Sequence, residues 1–249
     1  MMKKYLYLLL IVIVGCESTD AWDCLKKEGA QIREEIILPE FTKIRNGKGI
    51  QLVIDQGDVQ QVVLETGENL RDDIQLEVID GVLQVESLIS CNFVRPYQVT
   101  TVYVTAPNLT EIVNNSPYTV SSQGRLKYTS LALISENAVD KDNEYTNGDF
   151  QLELEVEELR VVANSISNFF LQGTATSAHI GLYSGDSRFE GQHLEVKNLT
   201  IYQRSSNKMK VRPIESIQGE IRGIGDVIAY HQPPIVEVIE YYTGQLIFK

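Results

Sequence analysis

Val161-Val162-Ala163-Asn164-Ser165-Ile166-Ser167-Asn168-Phe169-Phe170-Leu171 lies near the start of a stretch, Leu159 to Tyr230, that repeats itself. The later lines are Gly181 to Glu190, Ile201 to Lys210 and Ile221 to Tyr230; each runs from apolar residues through a Gly/Ser/Asn/Asp turn to apolar residues again. Asn168, Ser187, Asn207 and Asp226 take equivalent places, spaced by 19, 20 and 19 residues. A period near twenty marks stacked rungs: one rung cannot bury its own apolar side, but neighbours at a strand spacing of roughly 4.8 Å make a continuous core. The expected columns of that core are Val162, Phe170, Leu182, Phe189, Ile201, Met209, Ile221 and Ile228.

Outside this ladder the chain also reads as strands and turns. Earlier rungs are expected at Leu109 to Val113 with Tyr118 to Val120, and at Leu131 to Val139, before an inserted polar loop from Asp140 to Phe150. Ile235 to Phe248, after Pro233-Pro234, provides closing strands. Between Ile36 and Pro107, short strands are broken by Asn46-Gly47, Gln56-Gly57-Asp58, Thr66-Gly67 and Asp80-Gly81. Ile50, Leu52 and Ile54 alternate with polar residues, and Ile74 to Val85, folded at Asp80-Gly81, is the clearest hairpin. No sustained 3.6-residue apolar pattern appears, so helix should be scarce. The expectation is an all-β chain: a polar tether over 16–35, a hairpin-rich part over 36–107, stacked rungs over 108–249, and capping strands at the ends.

The first residues supply an address. Lys3-Lys4 precede an apolar run, Leu6 to Val14, too short for a comfortable membrane span. The run ends in Ile13-Val14-Gly15-Cys16 and resembles a bacterial lipobox, in which cleavage leaves an acylated Cys16 as the new N-terminus. Residues 1–15 are thus expected to be a lipoprotein signal peptide; the alternative is a plain secretory signal with a chance cysteine. Acyl chains on Cys16, at about 0.8 kcal/mol per buried methylene, would hold the protein at a membrane, with the outer membrane expected. The formal charge of −12 falls to −14 once Lys3 and Lys4 leave, which argues against nucleic acid and anionic lipid as partners. Cys24 and Cys91 remain; in an exported chain they pair as a disulfide or lie as two buried thiols.

From about Ile36 the chain carries, in order, Leu38-Pro39-Glu40-Phe41-Thr42-Lys43-Ile44, Ile50 to Ile54 with Gln56-Gly57, Glu68-Asn69-Leu70, Asp80-Gly81-Val82-Leu83, Cys91-Asn92-Phe93-Val94-Arg95, Val102 to Pro107, and Gly223 to Val227 with Tyr230. In this order they resemble the family of Bacteroidetes envelope proteins called the putative auto-transporter adhesin, head GIN domain. The resemblance implies a right-handed, single-stranded parallel β-helix, a β-solenoid. One departure is Asn115-Ser116-Pro117, where the family's first rung usually carries a Gly-Ser-Gly type turn.

Candidate chemistry is sparse. Asp140, Asp142 and Glu144 have the spacing of the first calcium-loop ligands, but Tyr145 replaces the required Gly and Gln151 the bidentate Glu, so Asp140 to Asp149 reads as a solvated loop. His179, His193 and His231 share no metal-ligand spacing, and no phosphate loop, nucleophile elbow or HExxH occurs, so no cofactor is expected. Asn168, Ser187, Asn207 and Asp226 either line one edge as a ligand-binding ladder or hold their own turns. Outward tyrosines among Tyr97, Tyr103, Tyr118, Tyr128, Tyr183, Tyr202, Tyr230, Tyr241 and Tyr242 could stack on sugars. The leading expectation is a lipid-anchored, adhesin-like, non-catalytic module for glycan or protein. The alternative is a polysaccharide lyase or hydrolase on the same scaffold, and self-association through the solenoid ends is a further expectation.

Overall fold

The computed structural model describes residues 23–89, 91–94, 96, 99–136 and 147–249. The leader with Cys16, the residues Asp140, Asp142 and Glu144, and Tyr97 lie outside them.

The strands in chain order are β1 (Gln31–Glu35), β2 (Lys43–Asn46), β3 (Gln51–Gln56), β4 (Gln61–Gly67), β5 (Ile74–Ile79), β6 (Val82–Ser87), β7 (Thr101–Ala106), β8 (Glu111–Asn114) and β9 (Val120–Ser135). They continue with β10 (Phe150–Ala163), β11 (Asn168–Leu182), β12 (Arg188–Gln203), β13 (Met209–Ile221), β14 (Val227–Ala229), β15 (Ile235–Glu240) and β16 (Leu246–Phe248). All sixteen belong to one mostly parallel sheet that does not close on itself. The described chain is all-β and solenoid-like.

Two columns carry the core. Leu52, Val120, Phe150, Phe169, Phe189, Met209, Val227 and Leu246 stand side by side through successive parallel pairings. Ile44, Ile112, Leu133, Val161, Ile180 and Ile201 form the second. All of these are buried except the terminal Leu246, which is half-buried. Phe150 and Phe169 stack with ring centroids 4.9 Å apart. Each rung repeats an apolar side chain at one height, so the columns fuse into a core that no single rung could form.

The register corrects three of the expected core residues. Val161, Phe169 and Val227 take the inner places; Val162 and Ile228 are buried but outside the core cluster, and Phe170 is 42% exposed. Each is the second member of an apolar doublet, and a one-residue slip turns a side chain to the opposite face. The other five, Leu182, Phe189, Ile201, Met209 and Ile221, are core residues.

The stack also reaches further towards the N-terminus than Leu109. β2 pairs in parallel with β8, and β3 with β9, so Lys43 to Gln56 is itself a rung. The antiparallel pairings are β5 with β6, β4 with β7 and β1 with β4. The hairpin at Asp80-Gly81 has both residues at positive φ, 51° and 76°, as a two-residue turn between twisted strands requires. Gln31 to Glu35, within the expected tether, is β1 on the outer edge of β4. Phe150, placed by sequence at the end of a loop, begins β10 as a fully buried core residue. Cys24 and Cys91 are joined by a disulfide, with Cα atoms 4.6 Å apart and a sequence separation of 67.

At the turns the interior becomes polar. Asn46, Asn114, Ser116, Ser135, Ser167, Ser187, Gln203 and Ser205 are buried there. The Asn46 amide donates to Asn114 Oδ1 at 2.9 Å, Ser135 and Ser167 hydroxyls meet at 2.6 Å, and Ser205 donates to the Ser187 carbonyl at 2.7 Å. Turn backbone groups cannot all be paired by the sheet, and these side chains satisfy them from within.

Gly173 sits at φ +111°, and a Cβ there would lie 1.9 Å from the Leu154 carbonyl oxygen in the next rung. Only glycine fits this backbone and this approach. Gly173→Ala is therefore expected to cost about 2–3 kcal/mol, read as a lowered midpoint of chemical denaturation; an unchanged midpoint would contradict the placement.

Candidate functional site

The long strands β9 to β13 present an outward face whose polar residues alternate with the core columns. On β10 this face carries Gln151, Glu153, Glu155 and Glu157, as period-2 patterning requires. The face is charge-matched from rung to rung. Arg125 stands beside Glu153 and Lys127 beside Glu155, with N···O distances of 2.8 and 3.1 Å. Lys210 stands beside Glu190 at 2.8 Å and Arg212 beside Glu195 at 3.4 Å. Neighbouring strands hold such pairs at ladder spacing, where like charges would repel.

Grooves along β9 to β13 include three, the first two of them on this face. The first, about 550 Å³, is lined by Lys127, Glu155, Glu157, Thr174, Glu195 and Lys197 among others. The second, about 260 Å³, surrounds Phe170 with Gln151, Glu153, Gln172, Gln192 and His193. The third, about 490 Å³, includes Arg160, His179, Asn198, Thr200 and Gln218.

Three carboxylates around one groove invite a glycosidase reading, which needs one carboxyl held protonated near neutral pH. Hydrogen bonding from Lys127, aided by the Lys127 and Arg125 charges, outweighs partial burial and holds the Glu155 carboxyl below its ordinary range. Glu155 is therefore an ion-pair acceptor, the opposite of a general acid. Tyr128, on the inner side of this groove, is driven upward by burial and by the Asp55 charge, so its phenol stays protonated and neutral. His179 is pushed down by burial and by Arg160, which leaves a neutral ring 3.2 Å from the Tyr183 hydroxyl. Among the described residues no group of three or more His, Cys, Asp or Glu could hold a metal ion.

The structure separates the polar ladder expected from the sequence. Asn168 stands beside Arg188, so Asn168 and Ser187 are one position out of step. Asn168 Nδ2 donates to Asp149 Oδ1 at 2.9 Å, Asn207 Oδ1 accepts from the Lys208 amide at 2.9 Å, and Asp226 Oδ1 accepts from the Gln245 amide at 3.2 Å. Ser187 is fully buried. Asn168, Asn207 and Asp226 fasten turns, and the four form no common edge.

Of the tyrosines, Tyr183 and Tyr202 stack outward with centroids 4.9 Å apart, and Arg222 lies 4.0 Å over the Tyr241 ring. Tyr128 is buried. On β11, sequence reasoning missed the outward aromatic Phe170, hidden in a Phe-Phe doublet whose two members face opposite ways. Of the histidines, His179 and His193 line different grooves.

Among the described residues no helix is long and apolar enough to cross a membrane. No curated protein matches the chain. A putative adhesin of Bacteroides fragilis shares the fold with a TM-score of 0.78 at 19% identity, covering 90% of this chain and 99% of that one. A putative lipid binding protein of Parabacteroides distasonis aligns with a TM-score of 0.65 at 14% identity, over 89% and 97% of the two chains. A putative adhesin of Parabacteroides merdae gives 0.60 at 14% identity, over 90% and 99%. The profile of one family matches residues 40–233, so the chain belongs to the putative auto-transporter adhesin, head GIN domain family.

Proposed function

We propose that this chain is a lipid-anchored envelope protein whose solenoid, a right-handed single-stranded β-helix, is a non-catalytic adhesive module. The observation that carries the reading is the outward face of β9 to β13, where ion pairs repeat from rung to rung around open grooves. Such a surface suits an extended ligand held by repeated polar contacts. Membership of an adhesin family supports it. The pairing of Glu155 with Lys127 and Arg125 weighs against hydrolysis on the same face. The anchor reading rests on Lys3-Lys4, the short apolar run and Gly15-Cys16.

A solid-phase screen of the full chain over immobilised glycans and extracellular proteins tests the adhesive reading. Saturable capture by at least one surface is expected, lost in Thr174→Trp, which fills the first groove, and kept in Gln75→Trp on β5. Absence of capture, or capture indifferent to Thr174→Trp, would refute it. Membrane fractionation tests the anchor separately: Cys16→Ser is expected to move the protein to the soluble fraction, and continued membrane association would refute acylation at Cys16.

A further inference from the structure

We infer that the groove around Phe170 is a binding site for a neutral saccharide. The inference rests on the adhesive reading and names the ligand class for one part of that face. Four observations converge on it.

The first is the backbone. Three of the four strand pairings from β9 to β13 break register at the same height, between Gln151 and Glu153, between Phe170 and Gln172, and between Glu190 and Glu195, while β10 and β11 stay in step there. β12 and β13 shift once more between Val196 and Asn198, and elsewhere from β9 to β13 the rungs stack almost residue for residue. Bulges re-aim side chains and locally open a sheet, and here they produce a groove of about 260 Å³. That is smaller than the roughly 300–1,000 Å³ of sites for drug-sized ligands, and suits one or two sugar rings.

The second is the aromatic surface. Phe170 is 42% exposed in a groove whose other lining side chains are mainly polar. An exposed ring amid hydrogen-bonding groups complements a pyranose, whose C–H face is apolar and whose edge carries hydroxyls.

The third is the polar set. Gln151, Gln172 and Gln192 offer planar amides that both donate and accept, and Glu153 and Glu190 offer acceptors. Both carboxylates are already neutralised, Glu153 by Arg125 and Glu190 by Lys210, with Arg188 at 3.8 Å. The groove therefore recognises hydroxyls without attracting a strongly charged ligand.

The fourth is an unmet acceptor. Gln192 Oε1 is buried and has no hydrogen-bond partner. A buried acceptor without a donor is costly, and a hydroxyl from a bound sugar supplies the donor. Gln192 belongs to the extra residues that β12 carries between Glu190 and Glu195, so the bulge that opens the groove also delivers this amide.

Calorimetric titration of the full chain, in a detergent without a sugar headgroup, tests the assignment. The probes are methyl glycosides of glucose, galactose, mannose and N-acetylglucosamine, with a tetrasaccharide of each. At least one is expected to bind saturably. Phe170→Ala should weaken that binding about tenfold and Gln192→Leu about threefold or more, while Phe170→Tyr keeps it. Phe170 faces outward, so the Ala variant should retain the wild-type unfolding midpoint. The assignment is overturned if no neutral saccharide binds, if Phe170→Ala binds as wild type does, or if methyl glucuronide outcompetes the neutral sugars. Solid-phase capture that survives Phe170→Ala but is lost in Thr174→Trp would overturn this site and leave the adhesive reading standing.

Discussion

Phe169→Ala is expected to cost about 3–5 kcal/mol, the range for emptying a fully packed aromatic site, whereas Phe170→Ala should stay within about 0.5 kcal/mol, as surface substitutions do. Phe169 is completely buried, stacked on Phe150 and flanked in the next rung by Phe189. Its removal leaves a cavity that neighbouring rungs cannot collapse into, because each is held at fixed spacing by hydrogen bonds on both sides. Urea denaturation followed by circular dichroism reads the difference as two well-separated midpoints. Equal losses for the two variants, or a greater loss for Phe170→Ala, would mean that the register of β11 is wrong by one residue. The pair thus tests the fold and the saccharide site together, since the site needs Phe170 outside the core.

The double variant Cys24→Ser/Cys91→Ser is expected to lose about 4 kcal/mol, by the chain-entropy estimate for a loop of this length. The bridge spans 67 positions of sequence and encloses β1 to β6, the part of the chain with antiparallel strands and the first rung. In the central rungs, parallel neighbours on both sides restrain each strand; near the N-terminus, β1 is held by β4 alone. Releasing the bridge should therefore lower the denaturation midpoint chiefly through this end, seen as earlier proteolysis between Gln31 and Ser87 than in the central rungs. A thiol reagent applied to the denatured, unreduced protein should label neither cysteine. Full labelling of both, or an unchanged midpoint in the double variant, would contradict a structural bridge.

The site was less legible than the fold. The period announced itself because turn residues recur near every twentieth position, and turns have few chemical solutions. The face was harder. Where apolar residues alternate singly, as at Ile50, Leu52 and Ile54, the buried side follows directly, and all three are buried. Where they come in pairs, as at Val161-Val162, Phe169-Phe170 and Val227-Ile228, composition fits both registers equally. The groove at Phe170 was invisible for that reason and for another: its bulges are mismatches between strands about twenty residues apart, and each strand alone reads as regular.

The sequence by itself determined the all-β class, the stacking period, the hairpin at Asp80-Gly81 and the outward row Glu153, Glu155 and Glu157, because local turn chemistry and period-2 alternation are properties of neighbouring residues. Only the folded chain settles which member of each apolar doublet joins the core cluster, that Lys43 to Gln56 already forms a rung, and that Arg125 and Lys127 neutralise Glu153 and Glu155 across the ladder. These depend on the register between rungs, which is set by the packing of a shared core and by hydrogen bonds between distant strands, and no short segment carries that information alone.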